Sequence, residues 1–73
     1  MVIDPQDPDW PRLQAARLVR ERVESGEWGP KLPSQMAMAE EIGVSPKTME
    51  KALNILKAEG LIYGVPGRGT FVR

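Results

Sequence analysis

The sequence predicts a mainly α-helical domain with a small β-hairpin, three helices preceding the hairpin. Three observations carry this. Apolar residues recur at steps of three and four in three separate stretches, as amphipathic helices require. Capping and breaking residues bracket each stretch. After Gly60 the pattern changes to short runs of branched and aromatic residues around a glycine-rich turn. The chain has 73 residues, 41% of them apolar, which is enough for one small core and too few for two domains. Residues 1–9, with two prolines and three aspartates, are expected to form an irregular leader, and residues 10–73 the domain.

Taken in order, Asp9 is the expected N-cap of the first helix, and Pro11 falls in its first turn, where a missing N–H costs least. Leu13, Ala16, Val19 and Val23 form the expected buried stripe, with Arg12, Arg20 and Glu24 outward, and Gly26 ends the helix. Trp28-Gly29-Pro30 reads as a connector and Leu32-Pro33-Ser34 as an extended lead-in to the second helix. Ser34 caps that helix, Met38, Ala39 and Ile42 face the core, and Gly43 closes it in a left-handed conformation. Ser45 caps the third helix and Pro46 opens it. Met49, Ala52, Leu53 and Leu56 give it a clean apolar face, and Gly60 ends it. Leu61-Ile62-Tyr63 and Thr70-Phe71-Val72 are the expected strands, joined through Gly64-Val65-Pro66-Gly67-Arg68-Gly69.

Composition excludes several functions. The chain has no His and no Cys. Disulfides, thiolate and imidazole chemistry and nearly every zinc site are thereby ruled out, and neither a cofactor nor a metal is expected. No apolar run could span a membrane, and the N-terminus lacks a signal-peptide layout, so a cytoplasmic chain is expected. So small a fold is also expected to lack an enzyme's cleft. Net charge is zero, but it is unevenly spread: residues 1–44 hold five basic and eight acidic side chains, residues 45–73 five basic and two acidic. That polarity suggests one face built for an anionic partner.

The most informative unit is the pair of helices joined by Gly43-Val44-Ser45. A link so short forces the helices to cross steeply, as in a helix-turn-helix. Ala39 supplies a small residue at the crossing and Gly43 the positive φ of the turn. With the apolar face of the third helix turned inward, Lys47, Thr48, Glu50, Lys51, Asn54 and Lys57 lie wholly or partly outward, with Ser45 at the N-terminus. An α-helix fits the major groove, where Asn pairs with adenine, Thr meets a thymine methyl and Lys reaches guanine or phosphate. Ser45 and the first free N–H groups suit a phosphate. Arg68, between Gly67 and Gly69 at the hairpin tip, suits the minor groove or its flanking phosphates. The expected DNA-binding set is therefore Ser34, Ser45, Lys47, Thr48, Glu50, Lys51, Asn54, Gly67, Arg68 and Gly69. The remaining notable residues have simpler readings. Met36, Met38 and Met49 are expected to fill the core, and Trp10, Trp28 and Tyr63 to pack or line its rim. Glu40 and Glu41 should be a solvated edge, and Arg17, Arg20 and Arg22 should form surface pairs.

Residues 13–73 resemble the GntR family of bacterial transcription regulators. The resemblance rests on Glu21-Arg22-Val23-Glu24-Ser25-Gly26-Glu27-Trp28, Leu32-Pro33-Ser34 and Ala39-Glu40-Glu41-Ile42-Gly43-Val44-Ser45. It continues through Lys47-Thr48-Met49, Ala52-Leu53, Ala58-Glu59-Gly60-Leu61 and Gly67-Arg68-Gly69-Thr70-Phe71-Val72. It implies a winged helix-turn-helix, a homodimer on a two-fold symmetric operator and a wing entering the minor groove. It also implies a small-molecule effector, but only if a further C-terminal domain follows. This chain departs from the family pattern where Gln35-Met36 replaces Glu-Arg after Leu-Pro-Ser, and where Pro46 and Glu50 replace Arg. Ala37 likewise stands where a capping-box acid is usual. Losing three cations should flatten the salt dependence of DNA binding by up to about three phosphate equivalents. Glu50 would repel a nearby phosphate, though it could accept from cytosine N4. The alternative function is a winged-helix module that binds another protein, with weak or no DNA binding.

Overall fold

The protein is seen in a computed structural model that describes residues 10–73; the leader at 1–9 and the Asp9 cap lie outside the described residues. Three helices, α1 (Pro11–Glu24), α2 (Gln35–Ile42) and α3 (Pro46–Ala58), precede two antiparallel strands, β1 (Ile62–Val65) and β2 (Gly69–Val72). The register pairs Ile62 with Val72, Tyr63 with Phe71, Gly64 with Thr70 and Val65 with Gly69. This is the expected three helices and wing.

Local chemistry accounts for most boundaries. Ser34 Oγ accepts from Ala37 N at 3.1 Å, and Ser45 Oγ accepts from Thr48 N at 3.1 Å, so each serine satisfies a helix N–H left without an intrahelical partner. Gly43 has φ +91° and Val44 N donates back to the Ala39 carbonyl at 3.0 Å, which ties off α2 and turns the chain within three residues. At the N-terminus of α1 the capping position is Trp10, which has no side-chain capping bond. In the wing, Arg68 N donates to the Val65 carbonyl across Pro66-Gly67, with Gly67 at φ +77°. Proline and glycine here hold the second and third positions of a tight turn.

The core gathers one face of every helix. Met49, Ala52, Leu53 and Leu56 on α3 are all buried, as are Met38, Ala39 and Ile42 on α2 and Ile62 on β1. No buried side-chain polar atom among the described residues lacks a hydrogen-bond partner.

Three expectations are corrected. Leu13 is 42% exposed, and α1 instead buries Ala15, Ala16, Leu18, Val19 and Val23 together with Gln14. Apolar and small residues occupy more than one face of this helix, so its spacing fits two phases and packing decides between them. Met36 is 65% exposed rather than a core residue. It lies two positions before Met38, hence about 200° round the helix, on the side opposite the buried stripe. The segment read as connector and lead-in adds an edge to the sheet: Pro30 O accepts from Val72 N at 2.8 Å, Leu32 N donates to Thr70 O at 2.9 Å, and Lys31 bridges Phe71. Pro30 and Pro33 lack a ladder N–H, and an edge is where a sheet tolerates that.

Met49→Ala should cost about 2–5 kcal/mol in urea unfolding because it opens a fully buried site. Met36→Ala should stay within about 0.5 kcal/mol. Comparable losses from both would mean that α2 is rotated relative to the packing described.

Candidate nucleic-acid interface

Burial of one side of α3 determines what the other presents. At about 100° per residue, Lys47, Lys51 and Asn54 fall in a single line opposite Met49 and Leu56. Glu50 and Lys57 follow one flank, and Thr48 lies on the other. Lys47, Glu50, Lys51, Asn54 and Lys57 are exposed, and Thr48 is half-buried. None of the five exposed side chains forms a hydrogen bond or ion pair among the described residues. Thr48 is held in place, because Ser45 Oγ donates to Thr48 Oγ1 at 3.0 Å. That leaves the threonine hydroxyl proton and methyl group available to a ligand.

The two capped N-termini are tied together. Gln35 Nε2 donates to the Pro46 carbonyl at 3.0 Å, linking the first residue of α2 to the first residue of α3. Ser34, Ser45 and the exposed first turns of both helices thus belong to one side of the molecule, where helix dipoles favour an anion. In the sequence Gln35 stands out only as a departure from the family pattern. Its bond to a backbone carbonyl leaves no signature in local spacing. The wing places Gly67, Arg68 and Gly69 at and beside its turn, with Arg68 exposed and unpaired among the described residues. Lys31, outside the expected set, lies across the wing: a Cβ on Gly69 would stand 3.0 Å from Lys31 Cε.

Other arginines are committed elsewhere. Arg20 Nη2 meets both carboxylate oxygens of Glu59, at 2.6 and 2.7 Å, joining α1 to the end of α3. Arg22 Nη1 lies 2.7 Å from Glu41 and 3.2 Å from Glu27, its side chain only 14% exposed, and its guanidinium stacks 5.1 Å from the Trp28 ring. Glu59 and Glu41 come from distant segments and Glu27 from the connector; none is the neighbouring Glu21 or Glu24. They make Arg22 a structural clamp between α1, α2 and the connector. Trp28 is buried, whereas Trp10 and Tyr63 are exposed, Tyr63 stacking on Phe71 with ring centroids 5.8 Å apart.

A model of the family "Bacterial regulatory proteins, gntR family" matches residues 11–72, nearly the whole described chain. The chain belongs to the GntR family. It is 41% identical over 61 residues to the uncharacterized HTH-type transcriptional regulator YdfD of Bacillus subtilis (strain 168), covering 81% of this chain and 13% of that protein. It is 39% identical over 74 aligned positions to the HTH-type transcriptional repressor NagR of the same organism, covering 99% of this chain and 30% of the repressor. The chain therefore spans less than a third of these relatives. Among solved structures, AraR(DBD) in complex with operator ORX1 superposes with a TM-score of 0.82 at 30% identity, covering 100% of this chain and 95% of that one. YtrA from Sulfolobus acidocaldarius, a GntR-family transcription factor, gives a TM-score of 0.79 at 36% identity over 97% of this chain and 77% of that one. This GntR domain thus has the winged helix-turn-helix architecture, and its relatives are transcription regulators.

Ser45→Ala should destabilise the domain by about 1 kcal/mol, through the lost bond to Thr48 N, in urea unfolding. An unchanged midpoint would show that the cap does not hold the start of α3.

Proposed function

We propose that this chain is a sequence-specific reader of double-stranded DNA from a transcription regulator, with α3 in the major groove and the β1–β2 wing at the minor groove. The observation that carries the reading is the outer face of α3. It is polar and exposed, and its charged side chains have no partner within the described fold. A solvated surface alone would look similar. Here that surface is displayed by a helix-turn-helix whose structural neighbour AraR(DBD) is in complex with operator DNA.

The roles follow from chemistry and position. Thr48, Lys51 and Asn54 contact bases, the asparagine through paired amide bonds to adenine. Ser34, Lys47 and the backbone N–H groups at Ser45 and the start of α3 hold phosphate, Lys47 reaching guanine as an alternative, and Gly67-Arg68-Gly69 brings a guanidinium to the minor groove with bare backbone on either side. Glu50 is the acid of this face, and its match in the major groove is the cytosine amino group. Two copies of the domain reading a two-fold symmetric operator complete the proposal, with the protein in the cytoplasm and no catalytic step. A small effector enters only through a further C-terminal domain. Exposed Met36 and Glu50, where the family pattern has arginines, favour a second reading in which this surface contacts a protein. A partner from native lysate retained after nuclease treatment would select it.

Fluorescence anisotropy with the gene's own upstream duplex at two salt concentrations tests the proposal. Binding should weaken as salt rises, because each neutralised phosphate contributes about 0.9 to the slope of log K against log salt. Salt-insensitive or absent binding would refute it. Asn54→Ala should cost about 1–3 kcal/mol on a selected site and little on mixed-sequence DNA. Glu50→Gln should tighten binding to mixed-sequence DNA while lowering the preference for the selected site. A uniform gain on both would show that Glu50 only repels the backbone.

A further inference from the structure

Between the end of α3 and the wing lies an open cleft of about 560 Å³, lined by Lys57 and by residues 64–70, with Arg68 and Thr70 among them. It carries two cations and no acid. The Lys57 ammonium rests beside the backbone of Gly64, since a Cβ there would stand 3.5 Å from Nζ and 3.7 Å from Cε. Glu59, the acid nearest in sequence, is engaged by Arg20 on the α1 side at 2.6 Å. The pair takes up the carboxylate that could otherwise neutralise the lysine. Lys57 and Arg68 themselves have no hydrogen-bond or ion-pair partner among the described residues.

We infer that this cleft binds a phosphodiester group of the DNA backbone, with Lys57 as its principal ligand. The inference rests on the docking proposed above and adds a contact outside the set read from the sequence. A helix in the major groove and a wing in the adjacent minor groove lie on opposite sides of one sugar–phosphate strand. That strand therefore passes between α3 and the wing, through this cleft. A flexible ammonium beside bare glycine backbone suits it, because it supplies a point charge without steric obstruction. Such a contact fixes the angle between helix and wing and carries no sequence information.

Lys57 also sits in the last turn of α3, where a cation favours the helix dipole, so stability must be read separately. The test measures anisotropy of the full chain and its Lys57→Gln and Lys57→Arg variants on a mixed-sequence duplex and on a selected one, across a salt series, with melting temperatures alongside. Lys57→Gln should lower the magnitude of the salt slope by about 0.9 on both duplexes, and Lys57→Arg should restore it. Phosphate ethylation interference should vanish at one position per half-site in the glutamine variant. A lower melting temperature with the slope and interference pattern unchanged would overturn the inference and leave the docking intact. Absence of DNA binding by the unaltered chain would overturn both.

Discussion

The burial of Met49, Ala52, Leu53 and Leu56 is the constraint on which the other features depend. Each of these side chains gains about 1–3 kcal/mol by leaving water, with alanine at or below the bottom of that range. Rotating α3 by half a turn would forfeit that gain and press Lys47, Lys51 and Asn54 into the core without partners, a far larger cost. The orientation of the outer face is therefore set by the inner one. The Gly43–Ser45 turn and the Gln35–Pro46 bond then determine where that face stands relative to α2. The sheet holds the wing beside it: Ile62 is buried in the core, and the Pro30–Leu32 edge pairs with β2.

Charge follows the same logic. A net charge of zero argues at first sight against a polyanionic partner, yet total charge says little about a surface. In the folded chain Arg20 is matched by Glu59, and Arg22 by Glu41 and Glu27, so these acids and bases serve to join helices. Lys47, Lys51, Lys57 and Arg68 lack such partners among the described residues. α3 and the wing thus present four cations without an ion-pair partner among the described residues, beside Arg12 on α1 and Lys31 on the sheet edge.

Features legible in the sequence were those with a local cause. Ser34 and Ser45 as caps, Gly43 at positive φ, the apolar stripes of α2 and α3, and the Pro66-Gly67 turn each follow from a few neighbouring residues. Features missed depended on distant partners. Leu13 and Leu18 are equally apolar, and only the tertiary packing of α1 selects Leu18 for burial. Met36 is the exception: it looks like a core residue by type, but the local phase set by Met38 and Ile42 turns it outward. The Pro30–Leu32 edge exists because β2 is there to receive it, and two prolines conceal its extended character. The same holds for the site: the outward residues of α3 could be read from periodicity. Lys57 facing Gly64, and Lys31 lying across Gly69, required the wing to be in place.

The most direct test of the central claim is amide chemical-shift mapping of the chain titrated with a duplex carrying its operator. The account predicts that shifts concentrate at Ser34–Gln35, along Ser45–Lys57 and at Gly67–Gly69, while the exposed Trp10–Leu13 end of α1 stays unchanged. A map centred on that end of α1, with the outer face of α3 undisturbed, would contradict it.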